Sequence, residues 1–345
     1  MVPGPHQGGA QQMTRNSGAP VAASERSAGV VLADVGGTNV RFAMLADTVL
    51  GRVERLAVAD YQYFADALAD FMSRRTDARS TRHAIFAVAG VVDGKRCALT
   101  NNRWIVDADE LRARFGFSDV HIVNDFEAIA WSLPHLTSED LRKLGGLKAK
   151  IDAPMLAMGP GTGLGVAVYV PNGQGGFVLR SEGGHATMPG ASVREDAIIE
   201  ILRRRFGHVS AERVLSGHGL ENLYSAIASL DSLDVPERSA AEITRFGLEG
   251  QCAASRAAID MFCAMLGEAV GNLALGAGAQ GGVYIAGGIA AHLRDYLPRS
   301  QFRARFEAKG RMSSYVSAIP AFLILHDDPA FLGLQSLAAQ SAWIS

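Results

Sequence analysis

The decapeptide Leu32-Ala33-Asp34-Val35-Gly36-Gly37-Thr38-Asn39-Val40-Arg41 constrains this chain more than any other stretch. An apolar run ends in a carboxylate and turns at once on paired glycines. Val30 to Val35 predict a buried strand. Val40, Phe42 and Met44 alternate with Arg41, Ala43 and Leu45 as a second strand, which leaves the glycines in a tight hairpin. Glycine lacks a Cβ, so its backbone N–H can approach an anion closely. Thr38 adds a hydroxyl, Arg41 adds a charge, and Asp34 is placed to hold a hydrated metal that bridges phosphate oxygens. An ordinary Gly-Gly hairpin satisfies the same pattern, so this stretch alone leaves both readings open.

A chain of 345 residues with 48% hydrophobic content can bury a large core, split between two lobes. Its formal net charge of -2 gives no electrostatic reason to expect nucleic acid as a partner. Cys97, Cys252 and Cys263 are widely spaced and form no C-x-x-C pair, so they read as reduced, packed thiols of a cytoplasmic protein. The longest apolar stretch, around Ala264 to Ala277, is interrupted by Glu268, Asn272 and glycines, and no membrane span is expected. Residues 1–28, rich in Gly, Gln, Ser, Ala and Pro, lack a periodic apolar face and are expected to form a disordered leader.

From Gly29 onward strand-like and helix-like segments alternate, as in α/β proteins. His83 to Ala89 predicts a buried strand. Asp107 with Glu110 predicts a capped helix through Phe115, and Val120 to Val123 predicts a further strand. The stretch with Pro134, Gly145, Gly146 and Pro154 reads as a crossing between lobes. Asn124 and Asp125 fall at the carboxyl end of a strand, where functional groups collect in open α/β sheets. Asp125 suits two roles there: capping the helix that follows, or accepting a proton from a hydroxyl as an ionised carboxylate.

Met158-Gly159-Pro160-Gly161-Thr162-Gly163-Leu164-Gly165 is a second glycine-rich turn between apolar strands. It matches neither the dinucleotide fingerprint nor the Walker loop. Arg180-Ser181-Glu182-Gly183-Gly184-His185 gathers a carboxylate and an imidazole around glycines, which suits the hydroxyls of a polyol; a solvated loop is the plain alternative. One Glu and one His are too few for a zinc site. Glu212 reads as a further carboxylate or as a first-turn acid after Ser210. Val283 to Ala286 runs into Gly287 and Gly288 and then a helix through about Leu297. This connection would let a flat ring lie against the backbone, or would serve only close packing.

Taken in order, Asp34-Val35-Gly36-Gly37-Thr38, Asn124-Asp125, Gly161-Thr162-Gly163, Glu182-Gly183-Gly184-His185 and Ala286-Gly287-Gly288 resemble the bacterial glucokinases of the hexokinase, Hsp70 and actin superfamily. The resemblance runs from about Val30 to Pro329. It implies an α/β fold of two ribonuclease H-like (actin-like ATPase) lobes with the active site in the interlobe cleft. The small lobe would be residues 29–135 plus 325–345, and the large lobe 136–324. It further implies that Ala33, Asp34, Val35, Gly36, Gly37 and Thr38 hold the ATP phosphates and that Gly161, Thr162 and Gly163 contact them from the other lobe. Gly287 and Gly288 would lie beside adenosine. Asp125 would be the base for the glucose 6-hydroxyl, with Asn124, Asp125, Glu182, His185 and Glu212 as glucose ligands. Mg²⁺ is implied with ATP, Asp34 being its candidate ligand, and such enzymes are usually homodimers.

Three other functions share part of this pattern. A kinase of another hexose or amino sugar from the repressor, open reading frame and kinase group would carry a cysteine-rich zinc segment, whereas here the histidine loop continues into Met188-Pro189-Gly190. A sugar-sensing, non-catalytic regulator would need a DNA-binding domain before the first strand. An actin-like filament or chaperone ATPase shares the phosphate hairpins but has no use for Glu182 and His185.

Overall fold

Strand β1 (Val30–Val35) is apolar throughout except for Asp34, because it is flanked on both edges and covered on both faces. It turns at Gly36 and Gly37 into antiparallel β2 (Asn39–Ala46), which pairs in turn with β3 (Val49–Leu50) and β4 (Glu54–Ala57). Parallel to β1 on its other edge runs β5 (His83–Val88). A small antiparallel sheet of β6 (Val92–Asp93), β7 (Arg96–Ala98) and β8 (Ile105–Asp107) follows. The chain then returns to the first sheet as β9 (Asp119–Asn124), parallel to β5. As expected, Asp107 caps the helix Ala108–Phe115, accepting from the N–H groups of Asp109 and Glu110.

The second sheet has the order β10-β15-β14-β11-β12-β13. Its strands are β10 (Leu141–Gly145), β11 (Met155–Pro160), β12 (Leu164–Pro171), β13 (Gly176–Ser181), β14 (Gly282–Ile285) and β15 (Ala321–Ile324). The computed structural model describes residue 1 and residues 29–75, 81–100, 102–173 and 175–341. The disordered leader expected over 1–28 lies, residue 1 apart, outside the described residues.

Side chains of β1 divide by the two-residue period of a strand. Val31, Ala33 and Val35 join Phe42, Phe64, Phe71, Phe86 and Trp104 on one face. Val30 and Leu32 pack on the other against Phe331 and Leu334 of the last helix, Pro329–Gln340. The carboxyl-terminal helix therefore covers the first sheet, far from its neighbours in sequence. Asp34 continues the face of Val30 and Leu32, so its carboxylate emerges where that helix begins.

The helix Asp125–Ser132 packs against both the last helix and β12. Its Phe126, Ala130 and Trp131 bury against Ala157, Ala167, Tyr169 and Tyr284 of the second sheet. Behind that sheet lies Ala253–Ala277, a helix long and apolar enough by composition to cross a membrane; 67% of its most apolar window is buried in the core.

The stretch read as a crossing runs from the first sheet to the second and also contains β10, an edge strand whose Arg142 and Lys143 break the alternation that marks a strand. One expectation is corrected. The helix after Gly287 ends at His292 rather than near Leu297. A separate 3-10 turn, Leu297–Arg299, holds Pro298, which cannot donate to a continuing helix.

Candidate active site

The tip of the first hairpin is exposed at Gly37, Thr38 and Asn39, while Gly36 N–H donates to Asn39 O at 3.0 Å. Ala33 and Val35 are fully buried, so this hairpin offers an anion its backbone at the tip and not those two side chains. Gly37 O accepts from Asn102 Nδ2 at 3.3 Å, which ties the tip to the loop between β7 and β8. Arg41 stands opposite Asp34 in the strand register and pairs with both Asp34 and Asp328. Burial opposes its charge, but the two carboxylates outweigh that and raise its pKa above the ordinary arginine value. In this arrangement Arg41 clamps the hairpin to the start of the last helix.

Asn124, not Asp125, is the N-cap of the helix behind β9. Its Oδ1 accepts from Phe126 N–H at 2.9 Å, its Nδ2 donates to Gly90 O at 3.0 Å, and the side-chain amide also donates to the Asp125 carboxylate. Asp125 Oδ1 shares the Phe126 donor, accepting from its N–H at 3.0 Å. Its carboxyl is pushed up to about 7, first by burial and then by the charge of Asp34. The expectation of a carboxylate fully ionised by its helix is corrected accordingly: burial and Asp34 outweigh the helix N-terminus, so Asp125 titrates near neutrality. Burial, and after it the charge of Asp125, push the Cys97 thiol up to about 11.

Across the gap, Glu182, Gly183 and His185 form one turn at the end of β13. His185 lies between two carboxylates, with Nε2 3.8 Å from Glu182 Oε2 and Nδ1 4.0 Å from Glu212 Oε1. Ser210 caps the 3-10 turn that carries Glu212, as the sequence suggested. Glu212 Oε2 in turn accepts from Leu164 N–H at 3.0 Å, at the root of the second glycine hairpin. That hairpin is closed by Gly161 N–H donating to Gly163 O, and Gly217 N–H donates to Gly161 O, both at 2.9 Å. A Cβ on Gly161 would meet nothing within 4 Å, so the tip faces open space beside exposed Thr162. Gly287 takes φ 93°, and a Cβ there would lie 2.5 Å from Pro160 O, so only glycine fits between the hairpin and β14. Gly288 is exposed next to it.

A cleft of about 390 Å³ joins the two sides, lined by Gly90, Val92, Asn124, Arg180 and Glu182 among others. Sequence reasoning missed Gly90, Val92 and Arg180 as lining residues, because only the fold brings them to Asn124. Among the described residues no group of three or more His, Cys, Asp or Glu converges on a metal-sized site. A hard cation arriving with water and phosphate oxygens needs fewer protein ligands, and the Asp34 carboxylate, paired with Arg41, is an oxygen donor that could hold one. The arrangement provides two backbone hairpins for anions, a titratable carboxylate at the start of the helix packed on β12, and a carboxylate–imidazole–carboxylate row for hydroxyls.

Comparison with known proteins places the chain in one family. The family described as Glucokinase matches residues 31–341. A glucokinase of Paramagnetospirillum magneticum is 44% identical over 310 residues, covering 89% of this chain and 97% of that protein. One from Nitrobacter hamburgensis is 42% identical, covering 89% and 96%. The crystal structure of a glucokinase from an Antarctic psychrotroph superposes with a TM-score of 0.81 at 33% identity, covering 90% of this chain and 99% of that one.

Proposed function

The chain belongs to the glucokinase family, and from that premise we propose how its residues divide the transfer of a phosphoryl group to glucose. It is an ATP:hexose 6-phosphotransferase of the actin-like ATPase fold, acting on glucose. Phosphoryl transfer asks mainly for alignment and charge neutralisation. The tip Gly36–Thr38 and the turn Gly161–Gly163 are read as the two phosphate-facing hairpins, with Gly287 and Gly288 beside adenosine. Asp34 would hold Mg²⁺, which when bound neutralises phosphate charge.

Asp125 takes the proton of the sugar 6-hydroxyl. Its raised pKa supports this role, because a base is most effective when it titrates near the working pH. Asn124 lines the cleft and orients Asp125 through its side-chain amide, while Glu182 and Glu212 accept from sugar hydroxyls and His185 donates or accepts between them. The observation that carries the reading is the bond from Leu164 N–H to Glu212. It makes the sugar-facing carboxylate and the second phosphate hairpin one mechanical unit, as a transfer between two substrates requires.

The domain division that goes with this reading is a small lobe of 29–135 plus 325–345 and a large lobe of 136–324. Packing of Pro329–Gln340 on the first sheet supports it. A cytoplasmic homodimer without nucleic-acid or membrane partners completes the proposal, on family likeness. The test is ADP formation from Mg-ATP with glucose, fructose, mannose, N-acetylglucosamine or no sugar. Strong turnover on glucose alone is expected. Preference for another sugar would overturn the roles given to Glu182, His185 and Glu212.

A further inference from the structure

The transfer mechanism gives Glu127 no task, yet this carboxylate is largely buried in the first turn of the helix that Asp125 begins. It lies two residues beyond Asp125, its side chain is 13% exposed, and Oε2 is buried without a hydrogen-bond partner. Burial lifts its carboxyl above the usual range, opposed first by the charge of Arg180 and then by the backbone N–H of Asn124 and the Trp131 indole one turn along the helix. Arg180 sits on β13, two residues before Glu182, and lines the cleft with Asn124 and Glu182. Its Nε stands 3.6 Å from Glu127 Oε2. That distance allows charge attraction but exceeds a hydrogen bond.

The contact joins the two halves of the sugar site. On one side is the helix that begins at Asp125; on the other is the strand that ends beside Glu182. Phe126 already wedges this helix against the second sheet, where it meets Gly159 and Gly165. Neighbouring helical residues point about 100° apart. A contact at Phe126 therefore fixes how close the helix lies, and a second contact at Glu127 fixes its rotation.

We propose that Glu127 and Arg180 are a positioning pair that sets the spacing and rotation of the Asn124–Asp125 helix end relative to Glu182, and so the alignment of glucose across the cleft. This rests on the reading of Asn124, Asp125 and Glu182 above. Arg180 is 60% exposed, so the pair adds little to stability, and its effect falls on geometry.

A double-mutant cycle tests the pair. Glu127→Gln removes the charge but keeps an oxygen that can accept from Asn124 N–H, and Arg180→Met keeps the apolar stem. Each variant is expected to lower kcat/KM for glucose roughly tenfold, with KM for ATP and Tm near the parent values. The double variant should be no worse than the poorer single one, and Arg180→Lys should recover most of the loss. Losses that multiply to roughly a hundredfold, parental kinetics in Arg180→Met, or an equal rise in KM for ATP would each overturn the pairing. Because Arg180 is exposed, its variants report even if Glu127→Gln folds poorly. An Asp125→Asn variant run alongside separates the two readings: collapse of its turnover with an additive cycle removes the pair and leaves the base, whereas retained turnover removes the base.

Discussion

A Cβ built on Gly163 would stand 2.6 Å from Glu212 Oε2, so the turn of the second hairpin and the carboxylate beside His185 occupy adjoining space. Gly163→Ala must therefore displace the end of the Glu212 side chain. That end is flexible, so the fold should tolerate the change. The displaced carboxylate loses its bond from Leu164 N–H and its alignment on the sugar. A charged hydrogen bond is worth about 1.5–3 kcal/mol, so KM for glucose is expected to rise by roughly ten- to a hundredfold, with a smaller change in KM for ATP. Steady-state kinetics with each substrate varied decides this. An effect confined to ATP would separate Glu212 from sugar binding.

Asp125→Asn keeps the size of the side chain and removes the proton acceptor. General-base catalysis contributes about 10² to 10⁴ in rate, and kcat is expected to fall by that much with little change in ATP affinity. In the parent enzyme kcat/KM should decline on the acid side of about pH 7, where Asp125 takes up a proton. Asp34→Asn, whatever its cost in rate, should move that acid limb to lower pH, because the Asp34 charge is one of the causes that raise Asp125. A pH–rate profile whose acid limb ignores Asp34 would show that the two carboxylates do not interact.

Local pattern was enough for some of this site and not for the rest. Both glycine hairpins were readable because alternating apolar residues and turn glycines lie within a few residues of each other. The strand β9 and the helix after it were readable for the same reason, down to the pair Asn124-Asp125. The cap itself was not: Asn124 serves as N-cap because its other amide group reaches Gly90, 34 positions earlier. Nor did spacing reveal that Arg41 closes on Asp328, 287 positions away, since the partner is delivered by the last helix packing on the first sheet. Strand β10 escaped notice because an edge strand with Arg142 and Lys143 need not alternate. Contacts made by folding, rather than by neighbouring residues, account for the misses.

The buried Asp125 carboxyl also sets how stability depends on pH. Its native pKa is pushed up to about 7, whereas an unfolded Asp titrates near 3.9, so between those values the folded chain holds a proton that the unfolded chain has released. Stability from this group therefore falls as pH rises from about 4 to about 7, and the penalty is complete above 7. Asparagine carries no such charge. Asp125→Asn is expected to melt at a higher temperature than the parent at pH 8, with the advantage shrinking toward pH 4. Scanning calorimetry at the two pH values tests it, and a pH-independent difference would remove the electrostatic cause.

Gly165 determines how closely the helix of Asp125 meets the second sheet. A Cβ at this position would fall 1.8 Å from Phe126 Cδ2, and one on its cross-strand partner Gly159 would fall 2.5 Å from Phe126 Cζ. The ring cannot move away, because it is nearly buried within the cluster of Ala157, Ala167 and Ala286. Overpacking of this kind costs about 1–3 kcal/mol, so Gly165→Ala should lower Tm by several degrees. It should also lower kcat, since Phe126 N–H is bonded to Asn124 Oδ1 and the next residue back is Asp125. Adding Phe126→Leu removes the part of the ring that clashes. The double variant should regain stability over Gly165→Ala alone, which would mark the defect as steric and local. If Gly165→Ala instead melted with the parent, the wedge would not hold the catalytic helix in place.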